Sequence, residues 1–227
     1  DRVIQPQAVI SEQEYFKASR TGRGVRLNRK ARKEVWSVFE EYRLLLDENS
    51  LKERDDALRD ARLLLEQKNE VLPYKAIIVD EAQDMGMQAF KLIRQMISGD
   101  DRKNDLFIVG DAHQRIYPYK VVLGRCGVNI VGRARKLKIN YRTTDENRKW
   151  AVDLLKGVKA DDLDGGIDDQ AGYKSLVHGI SPIVKRLDNS QSEIEFISQY
   201  LGKLSDQGKT LSETCLVART NSMLAQY

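Results

Sequence analysis

Residues that commonly announce chemistry are scarce in this chain. Its 227 residues include two cysteines, Cys126 and Cys215, and two histidines. None of them stands at metal-ligand spacing, which excludes a zinc-finger or ribbon reading. With so few cysteines a reducing, cytoplasmic compartment is the expectation. No apolar run approaches the roughly 20 residues needed to span a bilayer. The opening Asp1-Arg2-Val3-Ile4-Gln5-Pro6 shows neither an initiator Met nor a signal-peptide pattern, so a cut or processed fragment is expected. A strong excess of one charge is lacking too. Net charge is +4 with 32% charged residues, too mild to indicate nucleic acid by itself.

What is present starts with 41% hydrophobic residues, enough for one large domain or two small ones. Charge is unevenly placed. Arg125, Arg133, Arg135, Lys136 and Lys138 fall within fourteen residues, while Asp161 to Asp169 is acidic. The aspartates lack calcium-loop spacing and a terminal Glu, so Asp161 to Gly172 reads as a surface loop and not an ion site. From Ser11 to about Gln67 the pattern is helical. Val35, Val38, Phe39, Tyr42, Leu45 and Leu46 form one apolar stripe, and Leu58, Ala61, Leu64 and Leu65 a second, with a break expected at Asp47-Glu48-Asn49-Ser50. Thr21-Gly22-Arg23-Gly24 reads as a flexible basic link.

Pro73 ends the helical region, and strands then alternate with helices. Ala76 to Val79 reads as a buried strand, Met87 to Ile97 as a helix and Leu106 to Val109 as a strand. Ile139 lies on a further strand, Trp150 to Leu155 and Ile194 to Leu204 on helices, and Leu216-Val217-Ala218 on a late strand. This alternation predicts an α/β fold with parallel sheets.

The strand ends carry the chemistry. Val79-Asp80-Glu81-Ala82-Gln83-Asp84 delivers two carboxylates to the C-terminal edge of a sheet, where nucleotides bind. Asp80 is suited to hold Mg²⁺ through water, and Glu81 to orient an attacking water. The second strand runs into Val109-Gly110-Asp111-Ala112-His113-Gln114, so two neighbouring strands end in Asp around one crevice. Gln114 offers both a donor and an acceptor and can report a terminal phosphate without a fixed charge. Tyr117 and Tyr119 follow as aromatic faces, and stacking on a base contributes about 1–3 kcal/mol for any base. In Leu137-Lys138-Ile139-Asn140-Tyr141-Arg142-Thr143-Thr144, Arg142 presents a planar fork suited to phosphate.

In this order and spacing, VDEAQD resembles motif II of the UvrD/Rep-type superfamily 1 DNA helicases, GDAHQRIY their motif III and LKINYRT their motif IV. The resemblance is specific over Tyr74 to Thr144, and LVARTN, Leu216 to Asn221, resembles a later strand of their second lobe. It implies partial RecA-like (P-loop NTPase) lobes preceded by a helical segment. Residues 1–73 would end the helical insertion of lobe one, 74–135 would be the second half of lobe one, and 136–227 the first part of lobe two. It also implies ATP and Mg²⁺ as cofactors and single-stranded or partly duplex DNA as partner. By the resemblance Asp80 would bind Mg²⁺ and Glu81 would be the general base. Gln83 and Asp84 would couple the nucleotide site to its surroundings, and Asp111 would stand at the nucleotide. Gln114 would contact the γ-phosphate, and Arg142 would be the finger from the second lobe. Tyr117 and Tyr119 would lie on the DNA path, although Ile116-Tyr117-Pro118-Tyr119-Lys120 departs from the family's aromatic-basic-aromatic-Arg pattern.

The family's G-x-x-x-x-G-K-[ST] loop is missing from these residues. Gly208-Lys209-Thr210, with Gly202 upstream, is one residue too long in spacing and follows a helix, so it reads as a helix C-cap and turn. The expected function is therefore part of an ATP-dependent DNA translocase or helicase, with this chain inactive alone. The alternative is a non-catalytic helicase-like module that binds DNA or a protein.

Overall fold

The computed structural model describes residues 3–20, 26–69, 72–97, 104–115, 121–158, 160–161, 166–168 and 172–227. The chain divides into two units, one of Asp1–Asn140 with Leu155–Lys174, the other of Tyr141–Leu154 with Ser175–Tyr227.

The first unit opens with three helices. Helix α1 (Glu12–Lys17) starts at Ser11, whose hydroxyl accepts from Glu14 N–H, while the Glu14 carboxylate accepts from Ile10 N–H at 2.9 Å. These reciprocal bonds satisfy donors that a helix start leaves open. Helix α2 (Arg29–Glu48) is capped by Asn28, and the chain breaks at Asn49 and Ser50 before α3 (Arg54–Lys68), close to the expected break. Val3, Ile4, Val9, Tyr15 and Trp36 form a small core with Phe39 against it, and the Tyr15 and Trp36 rings stack at 5.6 Å. The expected α2 stripe is only partly used. Trp36 is the residue of α2 that is buried, whereas Val38 is 72% exposed and Val35, Tyr42 and Leu45 are exposed with it. The expected α3 stripe fares similarly, since Leu64 is exposed. Asp56, buried on α3, accepts from Arg43, from Arg59 at 2.8 Å and from Gln5 at 3.3 Å, tying the chain start to both long helices.

The α/β portion follows. Strand β1 (Ile77–Val79) and strand β2 (Leu106–Ile108) pair in parallel, Ile77 opposite Leu106 and Val79 opposite Ile108, with helix α4 (Met87–Met96) between them in sequence. Val79, Ala82 and Phe90 pack with Val121, Leu123, Cys126 and Val128, joined by Ile77, Leu106 and Ile108. Helix α4 also packs on α3. Arg94 forks onto Asp105 at 2.6 and 3.1 Å, fixing the end of α4 to the start of β2. Strand β1 is buried on one face only. Ile78 and Phe107, on the opposite face, are 75% and 63% exposed, which corrects the expectation of a strand buried on both sides. The parallel α/β pattern is present, but the sheets formed by the described residues are small.

Beyond β3 (Ile139–Asn140), Lys174 N–H donates to Lys138 O at 2.9 Å. The stretch expected as a plain loop holds a short antiparallel ladder of β4 (Ala160–Asp161) and β5 (Ile167–Asp168). Thr21 to Gly24 lies outside the described residues, and so does much of the acidic stretch.

The second unit contains α5 (Asp145–Leu154), α6 (Ser190–Asp206) and α7 (Asn221–Leu224). After α6, Gly208 has φ +76, its N–H donates to Ser205 O and Lys209 N–H donates to Leu204 O. That paired pattern is a Schellman cap, so Gly208-Lys209-Thr210 is the expected C-cap and turn. Leu216-Val217-Ala218 forms no strand, and Val217 is 83% exposed. An apolar triplet with no strand beside it has no ladder to join.

Candidate functional site

The two parallel strands end side by side, and each is followed by a carboxylate. Val109 N–H donates to Val79 O at 2.8 Å, and Ala82 N–H donates to Val109 O at 3.0 Å. These bonds continue the ladder beyond the strands, so the Asp80-Glu81 and Gly110-Asp111 turns share one edge.

Glu81 has φ +51 and ψ 41. This left-handed conformation costs an L-residue roughly 1–2 kcal/mol, and it turns the chain sharply off β1. Asp80 Oδ1 accepts from Glu81 N–H at 2.8 Å, and both side chains are exposed. Gln83 is instead 3% exposed. Its Nε2 donates to Glu81 Oε2 at 2.7 Å, and its Oε1 accepts from Asp111 N–H at 2.9 Å. One buried amide therefore holds the Glu81 carboxylate and the turn after β2 together. Gly110 makes room for it, because a Cβ there would lie 3.0 Å from Gln83 Oε1 and 3.1 Å from Ala82 Cβ.

Asp111 extends the chain of contacts. Its Oδ1 accepts from His113 N–H at 2.9 Å, and its Oδ2 accepts from Gln114 Nε2 at 3.0 Å. A continuous hydrogen-bonded series thus runs from Asp80 through Glu81, Gln83 and Asp111 to Gln114. Two exposed carboxylates beside a neutral amide, at the C-terminal edge of parallel strands, can bind a hard cation through oxygen and accept a proton from water. Among the described residues no three His, Cys, Asp or Glu gather around one point. The donor set fits Mg²⁺, which keeps several of its waters and takes one or two protein carboxylates.

The structure brings together five of the expected site residues, Asp80, Glu81, Gln83, Asp111 and Gln114. Arg142 is exposed and belongs to the second unit, on the turn before α5. Tyr117 and Tyr119 lie outside the described residues. Two features went unread in the sequence, the closeness of Gly110 to Gln83 and the left-handed Glu81. For Gly110 the available signal was a glycine directly after a strand and before an Asp. No residue-type signal marks a Glu for positive φ, since Gly, Asn and Asp are the usual occupants.

A family model described as the UvrD/REP helicase N-terminal domain matches residues 5–121, over half of the chain. The chain is also similar to the ATP-dependent DNA helicase HMI1, mitochondrial, of Saccharomyces cerevisiae, at 26% identity over 163 residues, covering 66% of this chain and 22% of the yeast protein. It thus spans under a quarter of that relative's length.

Proposed function

This chain belongs to the UvrD/REP helicase family, and on that premise we propose that its β1–β2 edge is the metal-holding and water-activating part of an ATP-dependent motor on single-stranded or partly duplex DNA. In this reading Asp80 holds Mg²⁺ through water and Glu81 takes the proton of the attacking water. Gln83 keeps the Glu81 carboxylate in place and reports its position to the turn after β2. Asp111 orients Gln114, which senses the terminal phosphate. Arg142, carried by the second unit, stabilises charge on the departing phosphoryl group. Tyr117 and Tyr119 stack on bases. ATP with Mg²⁺ supplies the phosphoryl group whose loss drives the movement.

The reading includes RecA-like lobes, with residues 74–135 as the second half of lobe one, 136–227 as the first part of lobe two and 1–73 as the end of a helical insertion. A reducing, cytoplasmic compartment belongs to the same reading. The observation that supports it most directly is the Gln83 amide, which links the carboxylate of one strand end to the backbone of the next. A buried amide serving two functional turns suits a site in which hydrolysis must be communicated.

Phosphate-cradling backbone and its Lys are absent from the 227 residues, so the chain alone is expected not to hydrolyse ATP appreciably. In a polypeptide joining this chain to a phosphate-binding loop, Glu81→Gln should lower DNA-stimulated turnover by about 100-fold or more while nucleotide still binds. Turnover that survives this change at full rate would sink the catalytic reading and leave a non-catalytic binding module.

A further inference from the structure

Charge in this chain is nearly balanced overall, with 38 Lys and Arg against 34 Asp and Glu. It is not balanced locally. Between Asp111 and Asp145 there are eight Lys and Arg and no Asp or Glu. At the chain's average of about one acidic residue in seven, thirty-three residues would carry about five. A solvated protein surface normally intersperses the two signs. A run with every acid removed is what a polyanion partner requires, because each carboxylate there would repel it.

Five of its cations lie on the surface of the first unit. Arg125, Arg133, Arg135, Lys136 and Lys138 are all exposed. Gly132, at φ +72, turns the chain, and Arg133 N–H then donates to Ile130 O. Beyond that turn residues 134–138 form neither helix nor strand. Arg133 Nη1 donates to the neutral Asn104 Oδ1 at 3.2 Å, and Arg135 Nη1 to the Ala134 carbonyl at 2.9 Å. These neutral partners steady the guanidinium groups without cancelling their charge. At Lys138 the chain is anchored by the Lys174 N–H, which brings a further cation beside the run. A basic face for a membrane surface would call for an amphipathic helix, and residues 134–138 form none. A cationic strap of non-helical chain matches a linear polyanion instead.

We propose that Arg133, Arg135, Lys136 and Lys138 form a phosphate-binding track for the backbone of a nucleic-acid single strand, separate from the nucleotide-hydrolysis edge and operating without nucleotide. The proposal rests on the DNA-binding half of the functional reading and adds the residues that hold the strand's backbone. Binding through such a track is insensitive to base sequence and steeply sensitive to salt, because neutralising phosphates releases counterions.

The test uses the 227-residue chain, a fluorescein-labelled thirty-nucleotide oligo-dT and anisotropy titrations without nucleotide at several salt concentrations. The chain should bind, with log K falling linearly against log salt. Replacing Arg133, Arg135, Lys136 and Lys138 together by Gln should make that slope shallower by about 2 to 3, since each phosphate neutralised on a single strand accounts for roughly 0.7 of it. A charge-preserving set, Arg133→Lys, Arg135→Lys, Lys136→Arg and Lys138→Arg, should keep the original slope, and unchanged circular dichroism shows that both variants fold. An unchanged slope in the Gln variant overturns the track while leaving DNA binding elsewhere on the chain. No binding by the unaltered chain overturns it as well, and the Glu81→Gln turnover measurement then decides the catalytic half of the functional reading separately.

Discussion

Glu81 joins a backbone cost to a chemical role. Its φ of +51 is a conformation that glycine adopts freely and other L-residues adopt at a cost. Glu81→Gly should therefore leave the chain as stable or more stable, by up to about 1 kcal/mol in urea unfolding, although the carboxylate is gone. A loss above about 1 kcal/mol would show that the bond lost from the buried Gln83 Nε2 outweighs the relief of the left-handed turn. Gly110 predicts the opposite sign. An added Cβ 3.0 Å from Gln83 Oε1 and 3.3 Å from Ala82 N must displace the buried amide or the turn. Gly110→Ala is then expected to lower stability by about 1–3 kcal/mol, read as a lower urea midpoint with an unchanged slope. Legibility at this scale follows sequence distance. Asp80 and Glu81 are adjacent, and Gln114 sits three residues after Asp111, so local pattern shows them. The contact between Gln83 and Asp111 spans twenty-eight residues and exists only because β1 and β2 pair in parallel, which no local pattern states.

Helix α5 shows how one buried side chain organises an element. Thr144 Oγ1 accepts from Asn147 N–H, and Asp145, in the first turn, is buried. Its carboxylate meets Lys149 and Arg148, each at 2.7 Å, and accepts from Ser175 N–H at 3.4 Å. Glu146 adds a second clasp, accepting from Gly179 N–H at 2.8 Å and lying 3.1 Å from His178 Nδ1. The Lys149 ammonium, then the Arg148 guanidinium, hold the Asp145 carboxyl well below its ordinary 3.8. A depressed folded pKa means stability that is complete above the ordinary value and is lost as pH falls from about 4 toward the folded one. Asp145→Asn should lower the melting temperature at pH 7 and flatten its dependence on pH below about 4, as followed by circular dichroism. An acid limb as steep as that of the unaltered chain would remove Asp145 from this account. The helices themselves were readable from apolar spacing and caps. The buried side of α2 was not, because a period of 3.6 defines a stripe but not whether anything covers it. In α2 the covering residues Val3, Ile4, Val9 and Tyr15 come from the chain start, and they meet Trp36 more than the stripe. Leu216-Val217-Ala218 failed as a strand for a related reason, since strand formation needs a neighbour and three apolar residues do not provide one.

The two units differ in what holds them. The first buries Val79, Phe90, Val121 and Leu123 around β1 and β2, and Tyr15 and Trp36 beside the helices. Among the described residues of the second, the buried side chains are Asp145 and Ser175, both polar. Many of its apolar residues face outward, with Ile180 88%, Val217 83% and Val184 69% exposed. Composition could not have shown this contrast, because Ile, Val and Leu occur in both units. The discontinuous makeup of each unit, with residues 141–154 grouped with 175–227, is likewise set by tertiary packing that local pattern does not encode. Burial of apolar area contributes about 25 cal/mol per Å² and dominates the stability of small domains. Ion pairs and caps such as Asn189 to Ser192 N–H and Thr220 to Met223 N–H contribute only about 1 kcal/mol each. The second unit should therefore open locally far more often than the first. In native-state hydrogen exchange read by mass spectrometry, peptides from α6 should show protection at least about tenfold lower than peptides from α4, although α6 is the longer helix and carries a complete Schellman cap. Length and capping would favour α6 if local helix stability governed exchange, and apolar burial favours α4. Equal protection in the two helices would mean that the second unit is held by apolar contacts beyond those of its own described residues, and the division of stability between the units would fall with it.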